Sequence, residues 1–89
     1  MKRSFTDQAW EDYLFWHSTD KQMLRKIHAL IKDIERNPFD GIGKPEPLKH
    51  DFAGYWSRRI DQEHRLVYRM TDDLQEIELI MMRFHYRQG

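Results

Sequence analysis

The sequence contains no cysteine, which excludes disulfides and thiolate metal sites. It also contains no long hydrophobic run. The amino-terminal segment carries Lys2 and Arg3 with no apolar stretch after them, so it does not resemble a secretory signal, and no window approaches a membrane span. These absences lead us to expect a cytoplasmic protein with no membrane partner.

An excess of charge of either sign is also missing. The 89 residues include 15 basic and 15 acidic side chains, for a formal net charge of zero. A global positive field therefore cannot attract a nucleic acid, and any such site must arise from local clustering of cations. With 39% hydrophobic residues, the chain can build a modest core, and we expect a single domain over residues 1–89.

Motifs for metal and phosphate binding are absent as well. The segment Gly41 to Lys44 lacks the spacing of a P-loop and the Ser or Thr that follows one. The five histidines, none of which shows HxxH or HxxxH spacing, are His17, His28, His50, His64 and His85. Because zinc ligands usually recur at such short spacings, we expect no metal and no cofactor.

Hydrophobic periodicity predicts an edge strand at Lys2–Phe5 and then two helices. The first helix is predicted over Asp7–His17, with its N-cap at Thr6-Asp7. Its apolar face is expected to hold Trp10, Tyr13, Leu14 and His17, with Glu11 and Asp12 on the outer face. The second is predicted over Lys21–Arg36 and ends before Pro38, because proline disfavours helical geometry at the preceding residue. The two helices should form an antiparallel hairpin.

The second half of the chain predicts a loop and a sheet. Residues 37–48 hold all three prolines and predict an irregular loop. The segments that predict strands are Tyr55–Ile60, His64–Met70 and Ile77–Tyr86. Alternation in the first of them places Trp56, Arg58 and Ile60 on one face and Arg59 on the other.

The order of predicted elements, β-α-α-β-β-β, indicates an α+β fold. We expect a mostly antiparallel, twisted sheet with the amino-terminal helical hairpin on one face. The other face should be partly open, and there we expect Arg59, Arg65 and His85 to converge.

A carboxylate between two prolines is the first candidate for chemistry. Pro45 and Pro47 flank Glu46, and the two rings restrict the backbone that carries the carboxylate. A positioned carboxylate near cations is suited to act as a general base. The alternative is an ordinary solvated loop glutamate.

Two arginines within predicted strands are candidates for phosphate binding. The guanidinium groups of Arg59 and Arg65 stay charged and present a planar fork to phosphate oxygens. The alternative for each is a solvent-facing strand residue, or an ion pair with Glu63 or Asp61. Lys49 is a weaker candidate of the same kind.

His85 and Tyr86 follow the last apolar run. A histidine can donate a proton near neutral pH, and a tyrosine can stack on an exposed base or orient a partner. The alternatives are a strand-end histidine bonded to a carbonyl and a tyrosine at the rim of the core. Together these residues fit a metal-free ribonuclease, although a basic groove for an acidic partner would use many of the same side chains.

The motifs GKPEPLKH, YWSRRI, EHRLVY and the late RFHY, together with WEDYLFW, TDK and LIKDIERNPFDG, span nearly the whole chain. In these motifs the sequence resembles the YoeB family of toxins, which belongs to the RelE superfamily. The resemblance implies a RelE-like fold and a ribosome-dependent endonuclease that cleaves mRNA in the A-site codon and inhibits translation.

The resemblance also implies a role for each matching residue. Glu46 matches the general base, Arg65 the phosphate-stabilising arginine and His85 the general acid. The positions that match supporting roles in binding or orienting RNA are Lys49, Arg59 and Tyr86, with Glu63 as further support. No metal or cofactor is implied.

The partners implied by the resemblance are a cognate, acidic YefM-like antitoxin, the ribosome and its mRNA, and a homodimer of the free toxin. Two other functions remain open. One is a non-enzymatic toxin on the same fold, like the gyrase inhibitors of the superfamily, although those relatives lack the glutamate–arginine–histidine set. The other is an interaction module whose charges only solvate the sheet.

Overall fold

A computed structural model of the chain describes residues 1–84. The elements in chain order are β1 (Lys2–Phe5), α1 (Asp7–Thr19), α2 (Lys21–Arg36), β2 (Glu46–Pro47), β3 (Trp56–Arg59), β4 (Arg65–Met70) and β5 (Glu76–Met81). A short 3₁₀ turn at His50–Phe52 lies between β2 and β3. No helix in the described part of the chain is long and apolar enough to cross a membrane.

The strands form one mixed sheet in the order β1-β5-β4-β3-β2. β1 pairs with β5 in parallel, and the three other pairs are antiparallel. The predicted α+β fold, with a mostly antiparallel sheet, a helical hairpin and an edge strand at Lys2–Phe5, is confirmed.

Strand β2 corrects the prediction of an irregular loop over residues 37–48. Glu46 and Pro47 pair with the outer side of β3, so four strands rather than three follow the helices. Proline is tolerated there because β2 is an edge strand, where a missing N–H need not break a ladder.

Both helices begin at side-chain caps, and the cap of α1 is at the predicted position. Thr6 caps α1, and its hydroxyl accepts a hydrogen bond from the amide of Ala9 at 3.0 Å. Asp20 caps α2, and its carboxylate accepts from the amides of Gln22 and Met23. α1 continues to Thr19, two residues beyond its predicted end, because the break comes only where Asp20 begins the next helix.

The predicted buried face is confirmed for α2 and wrong for α1. The apolar stripe of α2 is confirmed, since its buried residues include Met23, Ile27, Leu30, Ile31 and Ile34. The stripe predicted for α1 is wrong, because Trp10 and Leu14 are 49% and 46% exposed. The buried residues of α1 are instead Ala9, Asp12 and Trp16. α1 turns this face inward because Asp12 and Trp16 hydrogen-bond the main chain of Met82.

The main core lies between the helices and one face of the sheet. The buried sheet residues in this cluster are Ile60, Leu66, Tyr68, Met70, Ile77 and Leu79. Leu48 and Val67 are also buried but lie outside that cluster, so the second face of the sheet is partly covered rather than fully open.

Strand β5 ends earlier than predicted, at Met81 rather than Tyr86. Its register against β4 shifts by one residue, with Tyr68 opposite Leu79 but Val67 opposite Met81, which is a β-bulge. The amide of Met82 then donates to the carboxylate of Asp12, and its carbonyl accepts from the indole of Trp16. Because both main-chain groups are occupied by α1, the strand cannot continue.

Candidate functional site

The face of the sheet opposite the helices carries the predicted base and two predicted phosphate ligands. Glu46 on β2 lies opposite Ser57 on β3, and Arg59 on β3 lies opposite Arg65 on β4. Because side chains alternate along a strand, Ser57 and Arg59 share a face, and each paired partner projects to the same side. We call the surface formed by Glu46, Arg59 and Arg65 the sheet-face site.

Strand geometry sets the dimensions of the sheet-face site. Residues directly opposite each other, such as Arg59 and Arg65, have Cβ atoms about 5 Å apart. Glu46 and Arg65 are two strands and two residues apart, which corresponds to roughly 12 Å between Cα atoms. Long side chains can close on a small group from both sides across such a gap.

Arg65 is half-buried and is held by main-chain carbonyls. Its Nη1 donates to the carbonyl of Asp61 at 2.8 Å and to that of His64 at 3.1 Å. The ion pairs with Glu63 or Asp61 that the sequence left open are not formed within the described residues. The guanidinium is therefore positioned without being neutralised.

The carboxylate of Asp61 is used within the β3–β4 turn. It accepts hydrogen bonds from the amides of Glu63 at 2.8 Å and His64 at 2.7 Å. Burial acts to raise the pKa of Asp61, but these amide bonds outweigh it and hold the pKa below its ordinary value. Asp61 shapes the turn that presents Arg65.

Arg59 is exposed at the end of β3, and its amide donates to the carbonyl of Gly43 at 2.7 Å. Gly43 has φ of 77°, and a Cβ there would lie 2.8 Å from Leu30 Cδ2, so this close approach of the loop to β3 requires glycine. Two cations directly opposite on one sheet face destabilise it. An anion between Arg59 and Arg65 would relieve that repulsion.

Glu46 is exposed on β2, and within residues 1–84 its carboxylate makes no hydrogen bond or ion pair. Lys49 is exposed at the start of the 3₁₀ turn. It follows the buried Leu48, whose amide donates to the carbonyl of Tyr55 at 2.9 Å. Glu46 and Lys49 therefore lie on either side of Leu48, whose burial and hydrogen bond hold this part of the chain in place.

A buried arginine that the sequence did not assign to the site supports the loop before β2. Arg58 is fully buried, and its guanidinium donates to the carboxylate of Asp33 and the hydroxyl of Tyr68. It also donates to the carbonyls of Asn37, Asp40 and Ile42. Strand alternation places Arg58 on the same face as Trp56 and Ile60, and this was the sign in the sequence that its guanidinium is buried. A buried guanidinium needs several acceptors.

Glu63 lies apart from the sheet-face site, in the turn between β3 and β4. Its carboxylate is 3.6 Å from Nε2 of His64, whose Nδ1 accepts from the amide of Phe84 at 2.7 Å. His64 was not predicted as a site residue, because its partner is a main-chain group 20 positions away. The predicted residues His85 and Tyr86 lie outside the described residues.

Within residues 1–84, no three histidine, cysteine, aspartate or glutamate side chains lie together in a way that could hold a metal ion. The polar groups of the sheet-face site are two guanidinium groups and one carboxylate. Such a set can bind an anion and accept a proton.

Comparison with known proteins gives a consistent result. A family profile described as "YoeB-like toxin of bacterial type II toxin-antitoxin system" matches residues 5–86. The toxin YoeB of Escherichia coli (strain K12) is 54% identical over 86 residues, which cover 97% of this chain and 100% of the relative.

Solved structures agree with the sequence match. A YoeB/ParE toxin from Agrobacterium tumefaciens superposes with a TM-score of 0.94 at 56% identity, covering 97% of this chain and 100% of that one. A YoeB dimer from Staphylococcus aureus gives a TM-score of 0.89 at 45% identity, covering 97% and 98%. A YoeB–YefM complex from the same organism gives 0.87 at 45% identity and the same coverage.

Proposed function

The chain belongs to the family of YoeB-like toxins of bacterial type II toxin–antitoxin systems, and from that premise we propose that it is a ribosome-dependent endoribonuclease. In this proposal it cleaves mRNA in the A-site codon and thereby stops translation. The cross-strand pair of Arg59 and Arg65 on the same face as Glu46 carries the proposal, because two cations held together on a sheet fit a phosphodiester.

The proposed reaction is attack by the ribose 2′-hydroxyl on the adjacent phosphorus. Glu46 accepts the hydroxyl proton, and the 2′-oxygen forms a bond to phosphorus while the bond from phosphorus to the 5′-oxygen breaks. His85 protonates the departing 5′-oxygen. The products carry a 2′,3′-cyclic phosphate and a 5′-hydroxyl, and DNA, which lacks the nucleophile, is not cut.

Charge stabilisation is assigned to the arginines. The phosphoryl group gains negative charge as the 2′-oxygen attacks, and donors held in place beforehand stabilise that charge without reorganisation. Arg65 is fixed by two carbonyls, and Arg59 lies directly opposite. We assign the phosphate to these two residues, with Lys49 and Tyr86 holding the RNA.

The partners in this proposal are the ribosome with its mRNA and an antitoxin of the YefM kind, with a homodimer of the free toxin. An acidic antitoxin segment can neutralise the same guanidinium groups that bind phosphate. The complex and the dimer of the Staphylococcus aureus relative support both assemblies.

The test is toeprinting on a programmed ribosome with wild type, Glu46→Gln and a matched control, Glu11→Gln. Glu46→Gln keeps the shape of the side chain but cannot take up the proton, whereas Glu11 is an exposed residue of α1. We expect wild type and the control to cut in the A-site codon and Glu46→Gln to leave the mRNA intact. Absence of cleavage by folded wild type, or full cleavage by Glu46→Gln, would overturn the assignment.

A further inference from the structure

The main chain of Phe84 is held by two consecutive residues, His64 just before β4 and Arg65 at its start. Its amide donates to Nδ1 of His64 at 2.7 Å, and its carbonyl accepts from the amide of Arg65 at 2.9 Å. Phe84 has φ of 66°, a left-handed conformation that is uncommon for a non-glycine residue. These two bonds offset the cost of that conformation and fix Phe84 beside Arg65.

The bond from Phe84 fixes the tautomer of His64. An imidazole nitrogen that accepts a hydrogen bond carries no proton, so the ring proton of neutral His64 lies on Nε2. That nitrogen is 3.6 Å from the carboxylate of Glu63, and a carboxylate favours a proton on the nitrogen that faces it. Nδ1 of His64 thus accepts from the Phe84 amide, while Nε2 faces the carboxylate of Glu63.

The ring of His64 is itself held in place. It is half-buried and lies edge-on to Trp16, with ring centroids 4.9 Å apart. The guanidinium of Arg83 stacks over Phe15 at 3.5 Å and over Phe84 at 4.6 Å. Stacking holds this segment against α1, and the hydrogen bond to His64 fixes the peptide group between Arg83 and Phe84.

We propose that His64 is a positioning residue that aligns the main chain of Phe84 with Arg65. The inference rests on the proposed function, since Phe84 directly precedes His85, the residue assigned as general acid. His64 acts on the reaction only by way of the Phe84 main chain.

Three substitutions test the hydrogen-bond acceptor of His64 separately from its aromatic ring. In His64→Asn, the side-chain oxygen can take the place of Nδ1 and still accept from Phe84. In His64→Gln, the oxygen reaches the place of Nε2, which leaves the amide without its acceptor. His64→Phe keeps an aromatic ring against Trp16 and removes both nitrogens.

The readout is single-turnover cleavage on programmed ribosomes, measured as the rate at saturating toxin and the concentration that gives half that rate. We expect His64→Phe and His64→Gln to lower the saturated rate by on the order of tenfold or more, with little change in the half-saturating concentration, because misplacement of a catalytic group slows the chemical step. His64→Asn should recover most of the rate. Amide hydrogen exchange at Phe84 should be slow in wild type and His64→Asn and fast in the other two.

The outcomes distinguish this inference from the proposed function. If wild type cleaves and both His64→Phe and His64→Gln cleave equally fast, the positioning role is overturned. If wild type does not cleave, the proposed function fails, while exchange at Phe84 still reports whether His64 holds the segment. If His64→Phe does not fold, the comparison of His64→Gln with His64→Asn decides, and equal rates overturn the inference.

Discussion

Arg59 and Arg65 lie directly opposite each other across β3 and β4, and within the described residues neither guanidinium contacts a carboxylate. Like charges in this position destabilise a sheet. A nearby cation of the same sheet shows the usual arrangement, since Arg69 pairs with Glu78 on the adjacent strand. An unneutralised pair of cations is suited to the polyanion proposed to bind here, and it lowers the stability of the sheet.

Replacement of Arg59 should therefore raise stability and lower activity. Arg59→Gln keeps much of the aliphatic stem and removes the charge opposite Arg65. We expect the free energy of unfolding, measured by urea denaturation at low salt, to rise by about 0.2–1 kcal/mol, while RNA cleavage falls. In 1 M NaCl, where charges are screened beyond about 3 Å, the gain should shrink. A loss of stability at low salt would contradict the repulsion.

The neighbouring arginine should behave in the opposite way. Arg58→Met removes the donor for the Asp33 carboxylate and for three carbonyls of the loop before β2. Removing one partner of a buried ion pair costs about 3–5 kcal/mol, and we expect the lower part of that range because Asp33 is itself only half-buried. Chemical denaturation provides the measurement, and Arg59→Gln on the same strand is the matched control. Equal stability of Arg58→Met and wild type would rule out this role.

The same ion pair predicts how stability depends on pH. The hydrogen bond from Arg58, followed by that from the amide of Ile42, holds the pKa of Asp33 below its ordinary value of 3.8. A carboxyl whose pKa is lowered by folding stabilises the fold above its unfolded pKa, and this contribution is lost as pH falls below about 3.8. Asp33→Asn should flatten the acid limb of an unfolding titration. Asp72→Asn, at an exposed turn position, should leave that limb as it is, and an unchanged limb in Asp33→Asn would refute the assignment.

The local sequence pattern was sufficient to predict those elements whose buried face follows from hydrophobic periodicity alone. α2 has its predicted bounds because an unbroken stripe of branched side chains coincides with Asp20 at one end and Pro38 beyond the other. α1 has aromatic residues on several sides, so periodicity could not choose its inward face. That choice depends on two hydrogen bonds with Met82, at least 66 positions away: its amide donates to Asp12 and its carbonyl accepts from Trp16. No local window of sequence contains these contacts.

The same distinction applies to the candidate site: residues placed by strand alternation were predicted, and a residue placed by a distant contact was not. Alternation within β3 predicted Arg59 on the face opposite Trp56, Arg58 and Ile60, and Arg65 was expected on the same face. That the two arginines lie directly opposite each other is seen only in the sheet register. His64 was not singled out, because its neighbours in sequence do not reveal that Phe84 returns to it. The roles assigned to His85 and Tyr86 come from resemblance, and those residues lie outside the described part of the chain.

Asp12 provides a direct test of how the end of β5 is fixed. This buried carboxylate accepts from the amide of Met82 at 3.0 Å and from the side chain of Gln8 at 2.8 Å. Asp12→Ala leaves the Met82 amide buried without an acceptor, which should cost about 1–3 kcal/mol in unfolding free energy. Asp12→Asn retains an oxygen at that position and should lose less, while Glu11→Ala, one position away and exposed, should change little. If Asp12→Ala unfolds like Glu11→Ala, and the Met82 amide exchanges no faster than in wild type, then α1 does not hold the end of the strand through Asp12.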